Sequence, residues 1–204
     1  KEIANAVKNQ VDILPFNFSS YSASIPSLEL AEKLINILPG NMSRIFFGTG
    51  GAEANETAFK LARQYQCLRG EKGRYRIISR RISYHGGTIG AMSATGFVAR
   101  RHPFEPLLLN FPKTDAAYTY RCSYNHNHSD CGLEYARDLE RVIKLEGADS
   151  ISAFIAEPIV GFAGAAIHQL PLKPKVRVLN TAPLGHMVQG AGDDLPLGVE
   201  QLGL

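Results

Sequence analysis

Residues 44–63 read RIFFGTGGAEANETAFKLAR, and the change of pattern inside them decides the fold. Arg44-Ile45-Phe46-Phe47 is a short apolar run with two aromatics, which predicts a buried strand. It gives way to Gly48-Thr49-Gly50-Gly51, after which Ala54, Ala58, Leu61, Ala62, Tyr65 and Leu68 repeat at helical spacing. Glu53 and Glu56 stand in the first turn, Arg63 and Arg69 lie toward the end, and Gly70 follows, an order that suits the helix dipole. A strand that breaks at glycines straight into a helix is a device for holding anions. The first amides of the helix have no partner within it, the dipole adds positive potential there, and glycine lets a phosphate approach the main chain. Gly50, Gly51 and Ala52 occupy that turn, and Thr49 adds a hydroxyl. A tight turn carrying no ligand is the plainer alternative. A Walker-type loop is excluded because no Gly-Lys-Ser/Thr follows, and a dinucleotide fingerprint fits poorly because Glu53 stands where the third glycine belongs.

Working toward the amino end, Ile3, Val7 and Val11 form a helical stripe, and an aromatic, serine-rich connection follows. A second helix is expected from Ser27 as N-cap, with Leu28, Ala31, Leu34, Ile35 and Leu38 on its apolar face and Pro39-Gly40 as its stop. Toward the carboxyl end, residues 75–79 (YRIIS) predict a strand, followed by Tyr84-His85-Gly86-Gly87-Thr88 and a small-residue helix. A shorter strand is expected at 107–111, a polar excursion over 112–131, and a helix over 133–147 with Ala136, Leu139 and Ile143 inward and Glu140 four residues ahead of Lys144. Residues 151–156 predict a strand leading into Glu157-Pro158-Ile159-Val160-Gly161. Strands alternating with helices imply parallel strands joined by crossovers, hence an α/β domain.

Two further residues stand where a ligand of such a sheet would bind. Tyr84 follows a strand and offers a ring to a flat ligand, although a surface tyrosine in a glycine-rich turn looks the same. Glu157 is a carboxylate at the end of an apolar strand, where ligands of open α/β sheets gather; a capping carboxylate is the alternative.

Taken together, these pieces are more specific than any alone. The run from Phe46 to Arg63 resembles the phosphate-binding segment of class III aminotransferases, a Ser/Thr-Gly-small-Glu-Ala core before a helix with Lys-Leu-Ala-Arg. Tyr84-His85-Gly86-Gly87-Thr88 is similar to the family's aromatic-His-Gly-x-Thr element, and Ala156-Glu157-Pro158-Ile159-Val160-Gly161 to its Glu-Pro-x-x-Gly strand end. The resemblance covers about residues 1–167. It implies the large domain of the fold type I pyridoxal-phosphate-dependent transferases, a mostly parallel sheet flanked by helices, here incomplete. It also implies a homodimer that moves an amino group from an amino donor to a 2-oxo acid acceptor. By the same resemblance, the amides of Gly51 and Ala52 would hold the phosphate of pyridoxal 5'-phosphate, Tyr84 would stack on its ring with His85 beside it, and Glu157 would organise the pocket floor. Phe16, Phe18 and Tyr21 would lie near substrate.

The family also needs an aspartate facing the pyridine nitrogen and a lysine bonded to the cofactor, and neither motif is found. Lys173 and Lys175 follow Glu157 too closely, and Asp193-Asp194 has no apolar strand before it. From about His168 the sequence carries no sustained period and reads as loop or disorder. The expected organisation is therefore an N-terminal helical segment (1–40), a partial cofactor-binding domain (41–167) and an atypical tail (168–204). The tail is expected to be a frame-shifted or otherwise aberrant translation, a reading tested by the coding DNA in its other two frames. A chain of this kind is expected not to transaminate alone.

Composition narrows the rest. The chain of 204 residues has 45% hydrophobic and 20% charged residues, the balance of a globular protein. A net charge of +3, with its basic residues scattered, argues against nucleic acid. No apolar stretch approaches the ~20 residues of a membrane helix. Three cysteines do not suggest a disulfide framework, so a reducing compartment is expected, the cytoplasm first and an organelle matrix second. Cys122-x3-His126-x-His128-x2-Cys131 offers four ligand types for zinc, but its spacing matches no usual paired pattern, so a metal is not expected. A nucleotide-binding oxidoreductase would want an acidic residue after the next strand, where Ser79-Arg80-Arg81 stands instead. A non-catalytic subunit of the same fold is the remaining rival.

Overall fold

The computed structural model describes residues 1–18, 21–38, 42–118, 122, 124, 131–157, 159–161 and 166–167. The chain divides into two compact units, Lys1–Phe46 and Phe47–Leu204.

The first unit holds α1 (Glu2–Ile13) and α2 (Ile25–Ile37), neither of which buries a residue. The predicted stripe on α1 is present and uncovered: Ile3, Val7 and Val11 are 81%, 58% and 51% exposed. α2 starts earlier than Ser27. Ser24 is the cap, its Oγ accepting from the Ser27 amide at 3.4 Å, with proline in the first turn. Pro26 belongs there because the opening amides of a helix need no internal acceptor.

Residues 44–47 do not form the expected strand. A strand exists through hydrogen bonds to a neighbour. None of the described strands pairs with this run, and Phe46 and Phe47 are 69% and 44% exposed.

In the second unit the order is α3 (Gly51–Leu68), β1 (Arg76–Arg80), α4 (Ile89–Ala94), α5 (Val98–Arg101), a 3-10 turn at His102–Leu107, β2 (Lys113–Thr114), α6 (Cys131–Glu146) and β3 (Ile151–Phe154). A small antiparallel pair, β4 (Ile159–Val160) with β5 (Ala166–Ile167), follows. The main sheet runs β2-β1-β3, all parallel, as the strand–helix alternation predicts.

Neighbouring residues of a strand face opposite sides, and β1 shows what each side meets. Ile78 joins Ile151, Leu139 and Val142 in one cluster, so α6 covers that face. Ile77 joins Ala153 and Ala62, with Phe59 and Phe111 packed against them, so α3 covers the other. Buried Gln66 fixes the second layer by donating from Nε2 to Ser152 O at 3.1 Å.

The inward face of α3 is rotated from the one its aliphatic residues suggest. Ala62 and Gln66 are its buried residues, whereas Leu61 and Leu68 are 40% and 61% exposed. The expected strand at 107–111 is also displaced. Pro103 and Pro106 lie in the 3-10 turn, since neither can donate to a ladder, and pairing begins at Lys113.

Candidate functional site

The amino end of α3 and the carboxyl ends of β1 and β3 converge on one loop. Gly50 caps α3 in extended conformation without a side-chain hydrogen bond, and the helical ladder begins with Ala54 N–H donating to Gly50 O at 3.0 Å. The amides of Gly51, Ala52 and Glu53 precede that first bond, so they have no acceptor within the helix. A Cβ built on Gly50 or Gly51 would meet nothing within 4 Å. The space where a side chain would stand at these two positions is open.

The loop after β1 is held against this turn. Gly86 has φ +135, and a Cβ there would stand 2.5 Å from Ala52 Cβ and 2.8 Å from Ala52 Cα. This is one position where only glycine permits both the conformation and the approach. Asn55 Nδ2 donates to His85 O at 2.6 Å, and the His85 amide donates to Thr95 Oγ1 at 2.9 Å. Glu56 Oε1 accepts from Thr88 Oγ1 at 2.6 Å and from the Ala91 amide at 3.1 Å, closing the start of α4. Upstream, Ile82 adopts φ 53, a left-handed conformation rare for a β-branched residue, of the kind that gathers at functional turns.

Glu157 approaches from the end of β3, and its carboxylate accepts a hydrogen bond from the Tyr84 amide. Its Oε2 is buried without a protein partner, as is His85 Nε2. Burial raises the Glu157 pKa against the pull of that amide and of Arg80. Arg80, 7% exposed, donates to Glu157 O at 3.4 Å and lies over the Phe154 ring at 5.6 Å. Burial lowers its pKa to about 10, with Glu157 opposing.

His85 is 6% exposed, and burial, with Lys113 and Arg80 adding repulsion, lowers it to about 4. It is therefore neutral near pH 7. Lys113 falls to about 7, chiefly through burial and then through Arg101. Its Nζ donates to Ser93 O at 2.7 Å and Phe111 O at 2.9 Å.

The structure sets the predicted residues Ala52 of α3 and Glu157 after β3 against the loop that carries His85, with Gly51 beside Ala52 and half-buried Tyr84 tied by its amide to Glu157. It adds Asn55 and Thr95, which the sequence does not single out, and gives Glu56, expected only as a first-turn charge, two partners on the loop side. Asn55 carried a signal, because asparagine is a weak helix former and its use inside a helix invites a search for its partner. His126 and His128 of the zinc alternative lie outside the described residues. Among those described, no group of three or more His, Cys, Asp or Glu is placed to hold a metal. No helix among them is long and apolar enough to cross a membrane.

The donor set fits pyridoxal phosphate on this structure's own terms. Open main-chain amides at a helix start suit the phosphate, the loop that bears Tyr84 packs on that start through Gly86 against Ala52, and two buried polar atoms lack partners.

Known proteins match the stretch of chain that holds these residues. The family model described as aminotransferase class-III matches residues 1–181. The uncharacterized aminotransferase YhxA of Bacillus subtilis is 41% identical over 164 residues, covering 80% of this chain and 35% of that protein. The adenosylmethionine-8-amino-7-oxononanoate aminotransferase of Methanocaldococcus jannaschii is 36% identical over 171 residues, covering 80% and 37%. An omega transaminase from Pseudomonas jessenii, solved in complex with PMP, superposes with a TM-score of 0.75 at 34% identity, over 81% of this chain and 37% of that one. The chain thus spans little more than a third of the length of these relatives.

Proposed function

This chain belongs to the class-III aminotransferases, and from that premise we propose that its second unit grips pyridoxal 5'-phosphate in an enzyme moving an amino group from an amino acid or amine to a 2-oxo acid. The observation that carries the reading is the open start of α3 packed, through Ala52, against the loop bearing Tyr84 and His85.

When bound, the cofactor supplies the carbonyl carbon that takes the donor's amino group and the ring that draws electrons from its α-carbon. The protein's part is to hold and orient. The Gly51 and Ala52 amides take the phosphate, and Tyr84 covers the ring. Glu157 fixes the Tyr84 main chain from below. Neutral His85 adds no positive charge beside the ring at pH 7.

The same reading covers what the chain does not do by itself. Among the described residues Lys113 is a lysine whose charge reaches His85, and its Nζ is committed to two carbonyls. We take this length of chain to bind the cofactor without turning over. We take the cofactor-binding part to end near residue 167, while its compact unit begins at Phe47 rather than at residue 41. The full-length enzyme is a homodimer in the cytoplasm, a reading supported by exposed Phe47, Leu61 and Leu68 and by the few cysteines.

Equilibrium dialysis of the full chain against pyridoxal phosphate tests the reading. Saturable binding displaced by inorganic phosphate is expected, without consumption of an amino donor and pyruvate. Failure to saturate, or preference for a nucleotide, refutes the cofactor assignment, and turnover refutes the inactivity.

A further inference from the structure

Resting on the cofactor reading above, we propose that Asn55 is a positioning residue that locks the phosphate-holding start of α3 to the loop carrying Tyr84, so that one rigid piece grips both ends of the cofactor.

Three hydrogen bonds fix the main chain of Tyr84 and His85, and each comes from a different element. The Tyr84 amide is tied to Glu157 after β3, the His85 amide to Thr95 at the end of α4, and the His85 carbonyl to Asn55 in α3. Of these, the Asn55 bond reaches the helix whose first amides face the phosphate site. It is short, 2.6 Å, part-buried, and spans 30 residues of sequence. The packing of Gly86 on Ala52 limits how closely the loop approaches the helix. Packing alone does not stop it from moving away. The Asn55 bond supplies that second limit at His85 itself, one turn beyond Gly51, while the Glu56 bonds hold the loop further along, at Thr88 and Ala91. Asparagine is among the weaker helix formers, so this side chain is not there to serve the helix.

The test compares pyridoxal phosphate, which needs amides and ring together, with inorganic phosphate, which needs the amides alone. Both are measured by equilibrium dialysis on the full chain. Asn55→Ala is expected to weaken pyridoxal phosphate about tenfold, equivalent to about 1.4 kcal/mol, and to leave inorganic phosphate unchanged. The Asn55→Ala/Tyr84→Ala double variant is expected to bind no more weakly than Tyr84→Ala, since a residue acting through the ring has nothing left to position. Asn55→Leu, which keeps the branching at Cγ, removes the donor and favours the helix, repeats the measurement if the alanine variant fails to fold. Undiminished pyridoxal phosphate binding in either variant overturns the proposal. So does equal weakening of both probes with losses additive to Tyr84→Ala, the pattern of a merely structural role. If the unaltered chain takes inorganic phosphate but not pyridoxal phosphate, the cofactor reading itself falls, and the role of Asn55 falls with it.

Discussion

Replacing Gly86 by alanine probes the closest approach in the site. At φ +135 an alanine is strained whatever the space around it, at roughly 1–3 kcal/mol for so sparsely populated a conformation. The space is also taken: the new methyl would lie 2.5 Å from Ala52 Cβ, 2.8 Å from Ala52 Cα and 3.0 Å from Ala91 Cβ. Two of these neighbours are β-carbons and one is main chain, so no flexible side chain can swing aside. Relief requires the loop and the α3 start to separate, an overpacking cost of roughly 1–3 kcal/mol. Together the loss is about 2–6 kcal/mol, comparable with the whole stability of a marginal domain. Urea unfolding of the two chains measures it. Gly50→Ala is the control, because Gly50 has φ −168, open to any residue, and its Cβ would meet nothing. That variant should stay within about 0.5 kcal/mol of the parent. A Gly86→Ala chain as stable as the control would show that Ala52 and Gly86 are not in contact, and the site as described would not exist.

Two further outcomes follow from buried groups. The pKa of His85 is lowered from 6.5 to about 4 in the fold, so the unfolded chain binds a proton first as pH falls; stability is complete above 6.5 and drops on the way to 4. The loss should reach about 3 kcal/mol, and His85→Gln should flatten that limb of a plot of urea midpoint against pH; an unchanged slope would place the imidazole in water. In the core, Ile78 is 0% exposed between α6 and β3. Ile78→Val should cost about 1 kcal/mol and Ile78→Ala about 2–5 kcal/mol in the same unfolding assay, whereas equal losses would mean that the site collapses around the gap.

What was legible in the sequence is what periodicity and glycine can carry. The α3 start, β1, β3 and α6 all stand within a few residues of their predicted places, because each is a local pattern with its own boundary signals. The errors arise where a tertiary partner decides. Residues 44–47 look like a strand but have no neighbour among those described. Of the α3 face expected from Ala54, Ala58, Leu61, Ala62, Tyr65 and Leu68, Ala62 does meet the sheet, but Phe59 and Gln66 join it in place of Leu61 and Leu68, because a glutamine that reaches Ser152 O is buried as well as a leucine would be. Of the proposed site residues, Gly51, Ala52, Tyr84 and Glu157 were picked out by glycine turns and strand ends, and His85 by the family resemblance alone. The loop contacts of Asn55 and Glu56 were missed because their partners lie 30 to 35 residues away, and no period in the sequence reports such a distance.

That omission points to how α3 works. Ala52, Asn55, Glu56, Phe59, Ala62 and Gln66 recur at three and four residues, so they share one side of the helix. The lower half of this side is set against the sheet by Ala62 on Ile77 and by the Gln66 bond. The upper half holds the loop by Ala52 on Gly86, Asn55 on His85 O, and Glu56 on Thr88 and Ala91. Ordinary core packing at one end of the helix therefore aims the amides at the other. A helix free to roll would carry its first turn away from Tyr84, and burial of Phe59 and Ala62 is what makes rolling costly. Core and site are thus two stretches of one stripe, and the polar residues appear in it where the sheet ends and the loop begins.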